Sequence, residues 1–206
     1  YRDFFACVTR TANAFGELGV GKDGVVAFVL PNLPETHFTI WGGQAAGVVA
    51  AFNPLLEPAT LARLLAAAGA EVLVTVAPFP GVDLWPRLRD ELSAVPGLRH
   101  VVLVDMSERL PGPQGEAARA ARARKSADPV RAAALRGDLP RHIGLHDFWT
   151  LVAAQPDDRL TTGRVISPDD RSSFFCTGGT TGLPKIAVRR HGNEVANAAA
   201  VARFMG

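Results

Sequence analysis

Apolar residues along the chain switch between two spacings, and the switches mark out the elements. From Asp3 to Leu18, the residues Phe4, Val8, Ala12, Phe15 and Leu18 recur every three or four positions, which places them on one helical face. Asp3 is suited to cap that helix and Gly19 to end it. Gly24 to Leu30 is instead a continuous apolar run, VVAFVL at its core, which predicts a strand buried on both faces. Pro34 then launches a second helix with Phe38, Trp41 and Ala45 on one side, and Val48 to Phe52 predicts a second strand. Glu57-Pro58 opens a third helix with the stripe Leu61, Leu64, Leu65, Ala68, closed by Gly69. Glu71 to Val76 is a third strand, and a weaker helix over Val82 to Val95 leads into a fourth at His100 to Asp105. Strand alternating with helix in this way predicts an α/β fold of βαβ units around a mostly parallel sheet. Ligands in such sheets bind beyond the carboxyl ends of the strands. The turns at Asn32–Glu35 and Asn53-Pro54 lie there, although turn chemistry and helix capping account for their composition.

The pattern breaks from Ser107 to His142, where prolines, glycines, alanines and scattered arginines replace large apolar residues. A solvated, mobile and partly helical insertion is expected, since no aromatic residue accompanies Arg119, Arg122, Arg124 and Lys125 as a nucleic-acid arm would need. Leu145 to Gln155 predicts a helix bearing Phe148, Leu151 and Val152, and a polar connector follows to Ser167. Asp169 and Asp170 precede a strand at Ser172 to Cys176. Neighbouring carboxylates point apart on a strand or a helix, so a polar strand entry is expected here, without a metal site. Gly192-Asn193 opens a last helix running to Met205, with Asn193 as its cap and His191 at the corner.

Between the last two strands lies FFCTGGTTGLPKIAVR, Phe174 to Arg189. Glycines let a backbone turn sharply and bring its N–H groups close to an anion. Threonine hydroxyls add donors, and a lysine adds a compact positive charge. A Walker loop is excluded, because Leu183 or Pro184 stands where its second glycine belongs and Ile186 follows Lys185. The β-branched exit predicts a strand rather than a helix, giving a strand-loop-strand phosphate cradle.

TGGTTGLPK resembles the phosphate-loop signature of the adenylate-forming, AMP-binding superfamily, which includes acyl-CoA synthetases, peptide-synthetase adenylation domains and luciferases. Thr177, Gly178, Gly179, Thr180, Thr181, Gly182, Pro184 and Lys185 all fit it. Cys176 stands where an aromatic residue is common, and Ile186 where a small one is usual. PNLPETHFTIWGGQAAGVVAAFNP resembles a second familiar run of the superfamily. The likeness therefore covers roughly Gly24 to Val76 and Ser172 to Asn197 and is greatest to fatty- or aryl-acid CoA ligases.

The resemblance implies that the 206 residues form the N-terminal portion of the large AMP-binding domain, with 107–142 a flexible insertion and the C-terminal domain absent. It implies ATP, Mg2+ and coenzyme A as cofactors and a small-molecule carboxylic acid as substrate. Thr177, Gly178, Gly179, Thr180, Thr181, Gly182 and Lys185 would bind the nucleotide phosphates, and Lys185 would assist catalysis. No residue is assigned to a metal. Two other readings remain open: an acyl-AMP ligase that loads a carrier protein, and a truncated, non-catalytic nucleotide-binding or scaffold protein. A homodimer is a further possibility, and the fragment alone is expected to be inactive.

Composition narrows the setting. Net charge is +2, too small to point to nucleic acid, and no window of about 20 uninterrupted apolar residues predicts a transmembrane segment. YRDFFACVTR lacks a signal-peptide pattern, and its start inside a helical pattern suggests further chain upstream. Cys7 and Cys176 have no metal or redox spacing and are expected to be free thiols in the cytoplasm. Lys22, Lys125 and Lys185 are the only lysines, so Lys185 did not enter the loop through general lysine richness.

Overall fold

The computed structural model describes residues 1–79, 82–120, 129–177 and 184–205. Helix α1 (Arg2–Glu17) precedes strand β1 (Val25–Val29), α2 (Pro34–Ala46), β2 (Val48–Ala51), α3 (Pro58–Ala68), β3 (Ala70–Val76), α4 (Leu84–Arg89) and β4 (His100–Val104). Helices α5 (Gly112–Ala120) and α6 (Pro129–Arg136) follow, then β5 (Gly144–Asp147), α7 (Phe148–Ala153), β6 (Arg171–Cys176), β7 (Ile186–Arg190) and α8 (His191–Met205). The strands form one sheet in the order β5-β4-β3-β1-β2-β6-β7. Every neighbouring pair is parallel except the antiparallel β6–β7 hairpin.

Strand periodicity divides the core between the two faces. Val25, Ala27 and Val29 of β1 pack with Leu61, Leu64 and Leu65 of α3 and Trp85 and Leu88 of α4. Val26 and Phe28 point the other way, into Phe15 of α1, Phe38 of α2 and Phe148 and Val152 of α7. The chain crosses from β1 to β2 in one direction and from β2 back over β1 to β3 in the other. Right-handed crossovers then require α2 and α3 to lie on opposite faces, as they do.

Local chemistry sets the ends and contacts of these elements. α1 ends in a Schellman motif: Gly19 has a φ of 81°, its N–H donates to the Gly16 carbonyl, and the Val20 N–H donates to that of Phe15. Asp3 lies within the first turn rather than at the cap. α2 turns a different face inward from the one predicted. Trp41 is 52% exposed, whereas Phe38, Gly42, Gly43 and Ala46 are buried. The reason is close helix packing, since a Cβ at Gly42 would stand 2.8 Å from Cβ of Thr11 on α1.

Three other predicted elements change. The helix over 82–95 divides into α4 and a 3-10 turn at Leu92–Ala94, with Trp85, Leu88, Leu92 and Val95 still buried. The helix over 145–155 is β5 followed by α7, because the Asp147 carboxylate accepts from the Thr150 N–H at 2.8 Å and starts the helix there. Edge strand β5 (GLHD) is half-buried at all four positions, so it lacks the alternation that announces a strand. The last helix begins at His191. Asn193 lies inside it and reaches back, its Oδ1 accepting from the Arg190 N–H at 2.9 Å.

Part of the 107–142 stretch is helical and joined to the core. The Trp85 indole N–H donates to the Leu135 carbonyl at 2.9 Å, Arg131 pairs with Asp105 at 2.8 Å, and Leu139 is buried. Arg122, Arg124 and Lys125 lie outside the described residues.

Candidate functional site at the carboxyl ends of the strands

β6 delivers Thr177 to the carboxyl edge of the sheet, and Lys185 leads back into β7. The Thr177 N–H donates to the Lys185 carbonyl at 2.8 Å, and the Thr177 hydroxyl donates to the same oxygen at 3.3 Å. These bonds tie the two ends of the loop together and leave the Lys185 side chain exposed. Gly178, Gly179, Thr180, Thr181 and Gly182 lie outside the described residues. What the structure brings together is therefore the neck: one threonine at the end of β6 and one lysine at the start of β7, and the element that follows Lys185 is a strand, where a Walker loop would be followed by a helix.

Cys176 and Ile186 flank that neck and are register partners in the antiparallel ladder. Both are partly buried against the core cluster that contains Phe174. Burial pushes the Cys176 thiol above its usual pKa, which disfavours the thiolate form.

Parallel pairing of β6 with β2 runs to Ala51↔Phe175, two residues short of both Asn53 and Thr177. Beyond the carboxyl ends of β1 to β4 opens a cleft of about 430 Å³, lined by Pro31, Pro54, Leu56, Val76, Leu84 and Met106 among others. Pro54, from one of the two turns singled out in the sequence, contributes to its wall. Asn53 makes turn chemistry, its Oδ1 accepting from the Leu55 N–H at 2.9 Å. Glu35, from the other turn, is 2% exposed. Its Oε1 accepts from the Trp149 indole N–H at 2.9 Å and pairs with Arg109, so this carboxylate joins α2, α7 and the segment after β4.

Asp170 was legible only as a polar strand entry, and it is a hub. It is 6% exposed, pairs with Lys22 at 2.8 Å and Arg164 at 3.7 Å, and accepts from the Ser167 N–H at 3.1 Å. The hydrogen bond from Lys22, then that from Ser167, hold its pKa at about 2. Arg164 in turn donates to the Gln44 and Gly47 carbonyls at 3.1 and 3.0 Å. The polar connector is thus fastened beneath β2 and β6, at the end of the sheet opposite the loop. Asn13 fastens its other end, donating to the Pro156 and Arg159 carbonyls at 2.9 Å. His191 keeps a lowered pKa through burial and the nearby Arg164. Among the described residues no group of three or more His, Cys, Asp and Glu side chains converges as a metal site, and no helix is long and apolar enough to cross a membrane.

The parallel sheet closed by one antiparallel hairpin, with its loops at the carboxyl edge, defines the class: an α/β domain of the adenylate-forming type. The chain belongs to the family of AMP-binding enzymes, whose profile matches residues 1–205. It is similar to the marinolic acid–CoA ligase of Pseudoalteromonas sp. (strain SANK 73390), 30% identical over 96% of this chain and 25% of that protein. It is also similar to 4-coumarate–CoA ligase 1 of Arabidopsis thaliana, 28% identical over 97% of this chain and 29% of the relative. Among solved structures, the anthranilate CoA ligase AuaEII in complex with anthranoyl-AMP shares the fold, with a TM-score of 0.66 at 20% identity over 92% of this chain and 29% of its own. The chain thus spans between a quarter and a third of the length of these proteins.

Proposed function

We propose that these 206 residues supply the phosphate loop and supporting sheet of an enzyme that activates a carboxylic acid with ATP and transfers the acyl group to coenzyme A. The observation that carries this reading is the Thr177–Lys185 neck, which presents TGGTTGLPK between two strands of an AMP-binding fold. The donor set suits a polyphosphate: backbone N–H groups, threonine hydroxyls and one ammonium, with no carboxylate in the loop. Bound ATP with Mg2+ supplies the electrophilic phosphorus and a pyrophosphate leaving group. Thr177, Thr180 and Thr181 would donate hydroxyls to the outer phosphates, Gly178, Gly179 and Gly182 would let the backbone approach them, and Lys185 would offset the charge that builds on their oxygens. Displacement at phosphorus asks the protein mainly for positioning and charge stabilisation, which these groups provide. CoA ligases among the relatives favour coenzyme A as acceptor over a carrier protein. The acid pocket and the remaining catalytic groups would come from further chain, so the 206 residues alone are expected to complete neither half-reaction.

The test is Lys185→Ala in the protein that contains this chain. A hydrogen bond to a charged group contributes about 1.5–3 kcal/mol, so ATP–pyrophosphate exchange should fall by about tenfold to a hundredfold while the folded state is retained. Unchanged exchange would overturn the reading.

A further inference from the structure

Where the first residue of β4 meets the middle of edge strand β5, two imidazoles come together. His100 Nδ1 and His146 Nε2 are 3.1 Å apart, and both side chains are half-buried. The register explains how. His100 pairs with Gly144 and Val102 with His146, so the histidines are diagonal neighbours on one face of a parallel pair. Gly144 stands where a side chain would intervene: a Cβ there would lie 2.8 Å from each of the two facing nitrogens. The glycine keeps the space between the rings open.

We propose that His100 and His146 form a two-histidine chelate for a borderline divalent transition-metal ion of the Zn2+, Ni2+ or Cu2+ type. Two imidazole nitrogens bound to a tetrahedral Zn2+ at about 2.0–2.1 Å lie about 3.3 Å apart, close to the separation already present. Imidazole nitrogens select these ions over Mg2+ and Ca2+, which take oxygen ligands, so the site is chemically separate from any Mg2+ carried with a nucleotide.

The proton count closes without net release. Two neutral rings joined by one hydrogen bond present one N–H and one lone pair to each other. Metal binding requires the donating ring to carry its proton on its far nitrogen instead, which leaves both rings neutral and both facing nitrogens free to ligate. Burial and the charge of Arg99 favour neutral His100, and burial and the neighbouring His100 favour neutral His146. Glu17 on α1 acts on His146 in the opposite sense, and Arg99 is itself paired with Glu71 at 2.5 Å. Glu17 is itself held by Gln155, so the chelate rests on the two imidazoles, and water would complete the coordination of a bound ion.

The experiment uses the untagged 206-residue chain. Calorimetric titration with ZnCl2 near neutral pH should show one equivalent bound, and both His146→Gln and Gly144→Ala should weaken it by about tenfold or more. Histidine side-chain NMR of the wild-type chain avoids any dependence on how the variants fold. Zn2+ should shift the ring nitrogens of His100 and His146 before those of His37, His142 and His191. Zinc binding that survives in His146→Gln, or that moves the other histidines first, would assign the metal to adventitious surface groups and overturn the proposal. Absence of binding in the wild-type chain would do the same and leave the pair as a structural hydrogen bond.

Discussion

Cys176 and Ile186 face each other across β6 and β7, immediately outside the residues that close the phosphate loop. They are also the two positions where the chain departs from the usual pattern around its signature: a small residue replaces an aromatic one, and a large residue replaces a small one. Because the two side chains share one partly buried space against the core, the departures offset each other in volume. Ile186→Ala alone should destabilise by about 1 kcal/mol, and Cys176→Phe alone by a similar amount through overpacking. The double variant should recover at least about 0.5 kcal/mol of the sum, the coupling expected of residues in contact. A double-mutant cycle in urea measures it, and strict additivity would show that the two changes are unrelated.

Asp170 gives a pH signature with a definite sign. Its carboxyl titrates near 3.8 when free and at about 2 in the folded chain. A lowered folded pKa contributes stability that is present above the unfolded value and is lost as pH falls toward the folded one. The wild-type melting temperature should therefore drop between those two values, and the slope should be shallower in Asp170→Asn. Parallel pH profiles for the two proteins would remove Asp170 from the account of acid sensitivity.

Gly42 carries the α1–α2 contact. Gly42→Ala would place a Cβ within 2.8–3.0 Å of Thr11 Cβ, Thr11 Cγ2 and the Ala12 nitrogen, contacts that helix backbones relieve only by moving apart. A loss of about 1–3 kcal/mol is expected in chemical denaturation. Trp41→Ala, at the exposed neighbour, should stay within about 0.5 kcal/mol of wild type. Equal effects of the two substitutions would contradict the observed helix face.

α8 buries none of its residues and presents Val195, Val201, Phe204 and Met205 to solvent. A helix held without apolar packing opens locally far more readily than the core. Amide hydrogens of α8 should exchange well before those of β1 and β3, and the isolated chain should enhance the fluorescence of a hydrophobic dye. Protection in α8 equal to that of β1 would mean that the helix has found a partner in solution, such as a second copy of the chain.

Much of the fold was legible because its determinants are local. VVAFV at β1 is apolar at every position, as a strand covered on both faces must be, and the stripe Leu61, Leu64, Leu65, Ala68 admits only a helix with one buried side. The loop signature was legible for the same reason, since glycines, threonines and lysine in consecutive positions need no distant residue to reveal their chemistry. What stayed hidden depends on partners far along the chain. Asp170 becomes a hub only when folding brings Lys22 and Arg164 to it, and Glu35 is sequestered by Trp149 and Arg109. β5 exists because β4 offers it an edge, and His146 meets His100 because Gly144 falls opposite. Periodicity reports which face of an element is apolar; which particular side chains then meet is decided by sheet register and helix packing, and those arise only when the whole chain is folded.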